Sequence, residues 1–451
     1  MMKKWASVLF ALVIFFVPIE HKYDKPLRHF SLSVIPDGLT LPSGFDAKIY
    51  FYPSDIIAFI LFLSLLFAFR IPARKIFMEK GTICLLIIVC CALLSIISSP
   101  LSNYFTVYTR LLQLLTPCFL FAFLSQITFS EKQIRNLFYW VVIAALLQSF
   151  IAITQYFTQE HLGLRLLSES RDAPAIFEVA GGKRWLLDRV FDTGSASSII
   201  KRSAGTFPHS NVLGGFLMMS VILTYALIAK AQKKTILTLA LLVQMFALFL
   251  TYSRSAVFGI LLGTIVWFTF AFYHRHFYRY LAGAIVSCVA ICSCLLFEQY
   301  LHRGGIVNYN ETAKNSDQVR IVAQSTAIEM IKDHPVAGVG FQQFSKVAES
   351  YGNKTGTHNI YLFICSEMGM LALIAFLVFI WIVLRGAISS PFSSEKASLL
   401  AIFIAFLFIG GCDYYPITFQ QGKLMFFMTA AMIISLRKQE QSKQFEGSYA
   451  H

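Results

Sequence analysis

Apolar stretches recur along the whole chain, at residues 5–19, 54–70, 82–98, 106–128, 136–157, 206–229, 235–251, 255–273, 280–297, 358–384, 397–414 and 422–436. Most are close to the roughly 17–25 residues that cross the hydrocarbon layer of a bilayer as a helix. A soluble core needs far less apolar surface than a chain that is 57% hydrophobic and 14% charged. The pattern predicts an all-α integral membrane protein of about twelve spans.

A net charge of +14 raises nucleic acid as a partner, and the placement of that charge excludes it. Lys and Arg gather at the ends of apolar runs, as topology determinants do, instead of lining one amphipathic face. Cys84, Cys90, Cys91, Cys118, Cys288, Cys292, Cys294, Cys365 and Cys412 all lie in or beside apolar runs, with no CxxC pair and no Cys/His cluster. They read as small core hydrophobes, so neither a disulfide framework nor a zinc site is expected. The N-terminal Met-Met-Lys-Lys and the run after it resemble a signal peptide. Its exit lacks a small-x-small site, and an uncleaved first span is expected.

Orientation follows from the short connections. One side receives Lys3 and Lys4, Arg70, Arg74 and Lys75, Lys132 and Arg135, Lys230, Lys233 and Lys234. Arg275 and Arg279, Arg385 and Lys396, and Arg437 and Lys438 fall on that same side. The opposite connections, 99–105 and 412–421, carry no Lys or Arg. Both termini are then expected in the cytoplasm, and three longer segments, roughly 20–53, 158–205 and 298–357, on the outer face. Within the third, Val319, Val322, Ala323, Met330 and Ile331 recur at helical spacing. They predict an amphipathic helix lying along the membrane surface, ended by His334-Pro335 and turned back by Ala337-Gly-Val-Gly340.

The outer face collects residues that topology alone does not require. Arg202 precedes the sixth run and Arg254 occupies a tight turn after the seventh. Arg320 begins the surface helix, and His358 and Asn359 stand where a polar segment runs into the tenth run. Arginine suits bidentate contact with phosphate and keeps its charge anywhere. Histidine is the side chain most readily poised as a base near neutral pH. Glu367, inside the tenth run, can cap, pair with an Arg or orient a neighbour. Arg110, inside the fourth, is an intramembrane charge that could also snorkel to the interface. Pro208 and Asn211 mark an irregular start to the sixth run, whose free backbone groups must face a cavity and not lipid. His209 and His334 each adjoin a proline and read as structural.

Four stretches, taken together, resemble the O-antigen ligase/polymerase superfamily of bacterial envelope proteins. They are Arg202-Ser-Ala-Gly-Thr-Phe-Pro-His-Ser-Asn211, Thr251-Tyr-Ser-Arg254-Ser255, Arg320 with His334-Pro-Val-Ala-Gly-Val-Gly340, and Thr357-His-Asn-Ile-Tyr361 followed by Glu367-Met-Gly369. Ser210 departs from the family pattern, which has a second proline there. The resemblance implies an N-terminal set of spans at 1–199, a catalytic region at 200–375, and C-terminal spans with a cytoplasmic tail at 376–451.

It further implies an inner-membrane glycosyltransferase whose site faces the periplasm. Such an enzyme moves a glycan from an undecaprenyl diphosphate carrier to a hydroxyl acceptor, the lipid A core in the ligases. Growth of another carrier-linked unit, as in the polymerases, and protein O-glycosylation are the alternatives within the superfamily. A lipid-linked sugar flippase is the alternative outside it, though transporters place their charges near the bilayer midplane. The family's essential histidine falls on His358 and its loop arginines on Arg202, Arg254 and Arg320. A base and a cluster of guanidinium groups suit a single inverting displacement with a diphosphate leaving group. Without a DxD motif or an outer acidic cluster, no metal or other cofactor is expected.

Overall fold

The computed structural model describes residues 73–99, 104–160, 162–164, 199–276, 278–303, 311–353, 355–388 and 392–448, with short strands at 21–22, 50–51 and 178–180. The apolar runs at 5–19 and 54–70 lie outside the described residues. Each of the other ten carries a helix. In chain order the helices among the described residues, including four short or polar ones between the runs, are α1 (Ala73–Phe77), α2 (Lys80–Ser98), α3 (Tyr104–Leu124), α4 (Glu131–Thr158) and α5 (Ser210–Lys230). Then come α6 (Thr235–Leu250), α7 (Arg254–Tyr273), α8 (Arg279–Arg303), α9 (Glu311–Asp333) and α10 (Phe344–Ala348). The last are α11 (Ile360–Met368), α12 (Met370–Ile388), α13 (Ser394–Cys412), α14 (Tyr415–Thr418) and α15 (Gln420–Ser448). Two antiparallel strand pairs, His21–Lys22 with Tyr50–Phe51 and Glu178–Ala180 with Ile199–Lys201, close the long connections.

By length and composition, seven of these helices can cross a membrane: α2, α4, α5, α7, α8, α12 and α13. Their outward faces are apolar, with Leu94, Ile97, Phe150, Phe258, Leu371 and Trp381 all exposed. Such a surface is costly in water and natural in hydrocarbon. The helix α5 is the centre, its side chains buried almost throughout against α4, α6, α7 and α13. A close approach of α7 to α5 and α13 is set by Gly259 and Gly263, where a Cβ would meet Met218 and Ile409, and Ile222. Buried within the bundle, the apolar stretch of α15 is flanked by Gln420, Lys423, Arg437 and Lys438, so it needs no lipid-like exterior.

The run at 358–384 departs from a single span: it is broken between α11 and α12 at Gly369, with φ +84°. A Cβ there would collide with the Val336 carbonyl oxygen. The turn after α9 is threaded against this break. Val339 N donates to Ser366 O at 2.8 Å, Gly340 N to Glu367 O at 3.2 Å, and Met370 N to Pro335 O at 2.9 Å. Glu367 itself accepts from Gln342 N at 2.7 Å and Phe344 N at 3.1 Å. Of the roles open to it, capping this turn is the one the described bonds fill. Gly369→Ala is expected to cost about 3 kcal/mol or more, from clash and left-handed backbone combined. Gly283→Ala, whose Cβ meets nothing within 4 Å, should be neutral or slightly stabilising, and thermal melts of the two variants in detergent make the comparison.

Charges collect at both ends of α5. At its C-terminal end Lys230 Nζ lies 2.9 Å from Glu395, a buried carboxylate at the start of α13, and Arg135 lies 3.6 Å from it. Lys396 pairs with Glu440 at 3.2 Å. These are the basic residues that the positive-inside pattern assigns to the cytoplasmic side. The candidate site is at the other end of α5, about 30 Å away by helix rise.

Candidate active site

Three helix ends meet there: the start of α5, the end of α13 and the start of α11. A helix end leaves backbone groups without partners, and here side chains from neighbouring segments take them up. Asn359 is the N-cap of α11, its Oδ1 accepting from Tyr361 N at 2.9 Å and Leu362 N at 3.1 Å. Its Nδ2 donates to Gly411 O at 3.2 Å. Arg320, on α9, donates to Cys412 O at 3.4 Å, placing a cation at the negative end of α13. In α9 itself Ala323, Ala327 and Met330 are buried, while Ile321, Val322 and Ile328 are exposed. The helix spans Glu311–Asp333, starting earlier than the apolar spacing indicates.

Asp413 follows directly after α13 and is buried. Its Oδ2 accepts from Asn211 Nδ2 at 2.7 Å and its Oδ1 from Tyr414 N at 2.8 Å. His358 Nδ1 lies 3.6 Å from that same Oδ1. Arg202, also buried, donates through Nε to Thr251 O at 2.7 Å and through Nη2 to Asn211 Oδ1 at 2.6 Å. Arg202, Asn211, Asp413 and His358 therefore form one chain of polar contacts drawn from three parts of the sequence.

Burial alone would raise the Asp413 carboxyl; the neighbouring His358, then Arg320 and His209, outweigh it and hold it down to about 2. Burial first, then the charge of Arg202, pushes His209 down to about 4. A neutral His209 fits its place, because its Nδ1 accepts from Asn211 N at 3.0 Å as the cap of α5. His358 has φ +48°, a left-handed conformation that costs a non-glycine residue about 1–2 kcal/mol. Its ring stands edge-on to Tyr414, centroids 4.8 Å apart. With Nδ1 turned to Asp413, Nε2 lies on the opposite edge of the ring.

Arg254 opens α7, half-buried, after Ser253 caps the helix. It shares a tight turn with Thr251, whose carbonyl holds Arg202. The structure thus brings together Arg202, Asn211, Arg320, His358 and Asn359, with Arg254 in the adjoining turn. Glu367 serves the turn at 340–344 instead, and Arg110 is on α3, bonded to Gln113 at 3.1 Å.

Asp413 and Tyr414 escape a reading of the sequence. The connection 412–421 is notable there only for lacking Lys and Arg. A lone carboxylate ending an apolar run was the available signal, since ionisable groups at such positions tend to be functional. Chemically, a carboxylate at one imidazole nitrogen orients the ring and stabilises a proton taken up at the other. Guanidinium groups beside it can meet an anion.

Residues 237–377 match a family model described as O-antigen ligase. This supports membership of the O-antigen ligase/polymerase superfamily, the resemblance carried by the motifs. Arg254, Arg320, His358, Asn359 and Glu367 fall inside the match; Arg202, Asn211 and Asp413 fall outside it. A search of curated proteins finds no relative that matches the chain.

Proposed function

We propose that the protein is a glycosyltransferase of the inner membrane, joining a glycan carried on undecaprenyl diphosphate to a hydroxyl of the lipid A core at the periplasmic face. The observation that carries this reading is the His358–Asp413 pair standing beside Arg320 and Arg202. A base and a fixed positive field are what an alcohol attacking a diphosphate-activated sugar requires. The basic cluster at the far end of α5 supports placing the site outside.

In this mechanism the acceptor oxygen attacks the anomeric carbon as its proton passes to His358 Nε2. The bond from that carbon to the diphosphate oxygen breaks with its electron pair, and configuration inverts. Asp413 holds the imidazole and stabilises its charge after proton uptake. Arg254 and Arg320, both half-buried, meet the departing diphosphate, and Arg202 adds its charge from deeper in the protein. No metal takes part, since guanidinium groups neutralise the leaving group.

Purified protein in nanodiscs, given a carrier-linked glycan and lipid A core, should form the joined product in the presence of EDTA. Loss of product on chelation would overturn the metal-free step. Product formed only as longer carrier-linked chains would replace ligation with polymerisation.

A further inference from the structure

Asn211 occupies a position that the mechanism above does not use. It is the second residue of α5 and 9% exposed. Its amide oxygen accepts from Arg202 at 2.6 Å, and its amide nitrogen donates to Asp413 at 2.7 Å. A guanidinium has only donors and a carboxylate only acceptors, so the two partners dictate which way the amide faces. Among side chains of this size, a neutral carboxamide alone both accepts from the cation and donates to the anion from a single plane. Aspartate would suit Arg202 and confront Asp413. Leucine, of nearly the same shape, would bond neither.

The consequence is a separation of charges. Without a spacer, buried opposite charges in such proximity pair directly, because leaving either unpaired in a low dielectric is costly. A direct pair would draw Asp413 Oδ2 to Arg202, turn Oδ1 away from His358, and cancel the charge of Arg202. We infer that Asn211 is a positioning residue that keeps Arg202 and Asp413 apart, so that the carboxylate serves His358 and the guanidinium serves the diphosphate. The inference rests on the glycan-transfer reading and extends it to a residue that touches neither sugar nor diphosphate.

The test is the pH–rate profile of Asn211→Asp, with Asn211→Leu as the shape control, in the nanodisc assay with carrier-linked donor. Two carboxylates at hydrogen-bond distance cannot both ionise readily, and one takes up a proton as pH falls. Asn211→Asp should lose on the order of 10²-fold in kcat near pH 8, since a shift of about 1 Å in a catalytic group has that effect. It should recover relative to wild type as pH is lowered, because the introduced carboxyl, once protonated, can again donate to Asp413. Asn211→Leu should be low at every pH, with a lowered but measurable melting temperature because two buried charges lose the amide between them. Should Asn211→Asp fail to fold, the flat, depressed profile of folded Asn211→Leu carries the test alone. A wild-type protein that transfers nothing overturns the glycan-transfer reading and this inference with it. Transfer by wild type, matched by either folded variant at all pH values, overturns the inference alone.

Discussion

His358→Ala is expected to leave a folded protein that binds the carrier-linked donor and transfers almost nothing. General-base catalysis contributes on the order of 10²–10⁴-fold, and the loss should appear in kcat. The guanidinium groups of Arg254 and Arg320 are untouched by the substitution, so the donor KM should change little. Folding must be controlled, because residue 358 has φ +48° and its ring packs on Tyr414. Asparagine accepts left-handed backbone better than most residues, which makes His358→Asn the stricter variant. It keeps a polar side chain at the position and removes only the base. Both variants should be inactive, by product formation on gels with membranes or purified protein. Full transfer by either one removes His358 from the chemistry.

Asp413→Asn should be nearly as damaging, for a different reason. Its carboxylate takes N–H donors from both Asn211 and Tyr414 while facing His358. An amide at this place must turn its NH₂ toward one of those donors. It also removes the charge that stabilises the imidazole after proton uptake. Loss of the equivalent orienting carboxylate in other base-assisted transfers costs up to about 10⁴-fold. The sign on donor binding runs the other way. Removing a buried negative charge beside Arg202 and Arg320 strengthens the field offered to a diphosphate, so the donor KM should hold or fall as kcat collapses. A rise in donor KM together with a lower melting temperature would make Asp413 part of the framework only. Asp413→Glu, which keeps the charge and displaces it, should retain more activity than Asp413→Asn.

Much of the fold is legible in the order of residues because lipid imposes a local rule. A helix facing hydrocarbon must be apolar along its length, and ten of the runs have their helices where composition puts them. The caps supplied by Ser253 and Asn359, each accepting from backbone N–H groups of the next turn, emerge only in the structure. Gly369 is not legible either. An apolar stretch reads as continuous until the turn after α9 is seen pressing its backbone against that glycine. The site divides along the same line. His358, Arg202 and Arg320 are recognisable by residue type and motif. Asp413 is a single acid in a short connection, and its importance comes from Asn211, 202 residues away in sequence.

What the sequence by itself determined is therefore where ten of the apolar runs form helix, and the cast of basic residues around one histidine. Those properties depend on residue type and on neighbours within a few turns. What only the tertiary structure decided is which groups are partners. Arg202 is directed at Asn211, Asn211 at Asp413, and Asp413 at His358, while Glu367 is assigned to a turn and not to the site. Partnership between buried charges is set by which helix ends converge, and that convergence is a property of packing among α5, α11 and α13 that no single segment contains.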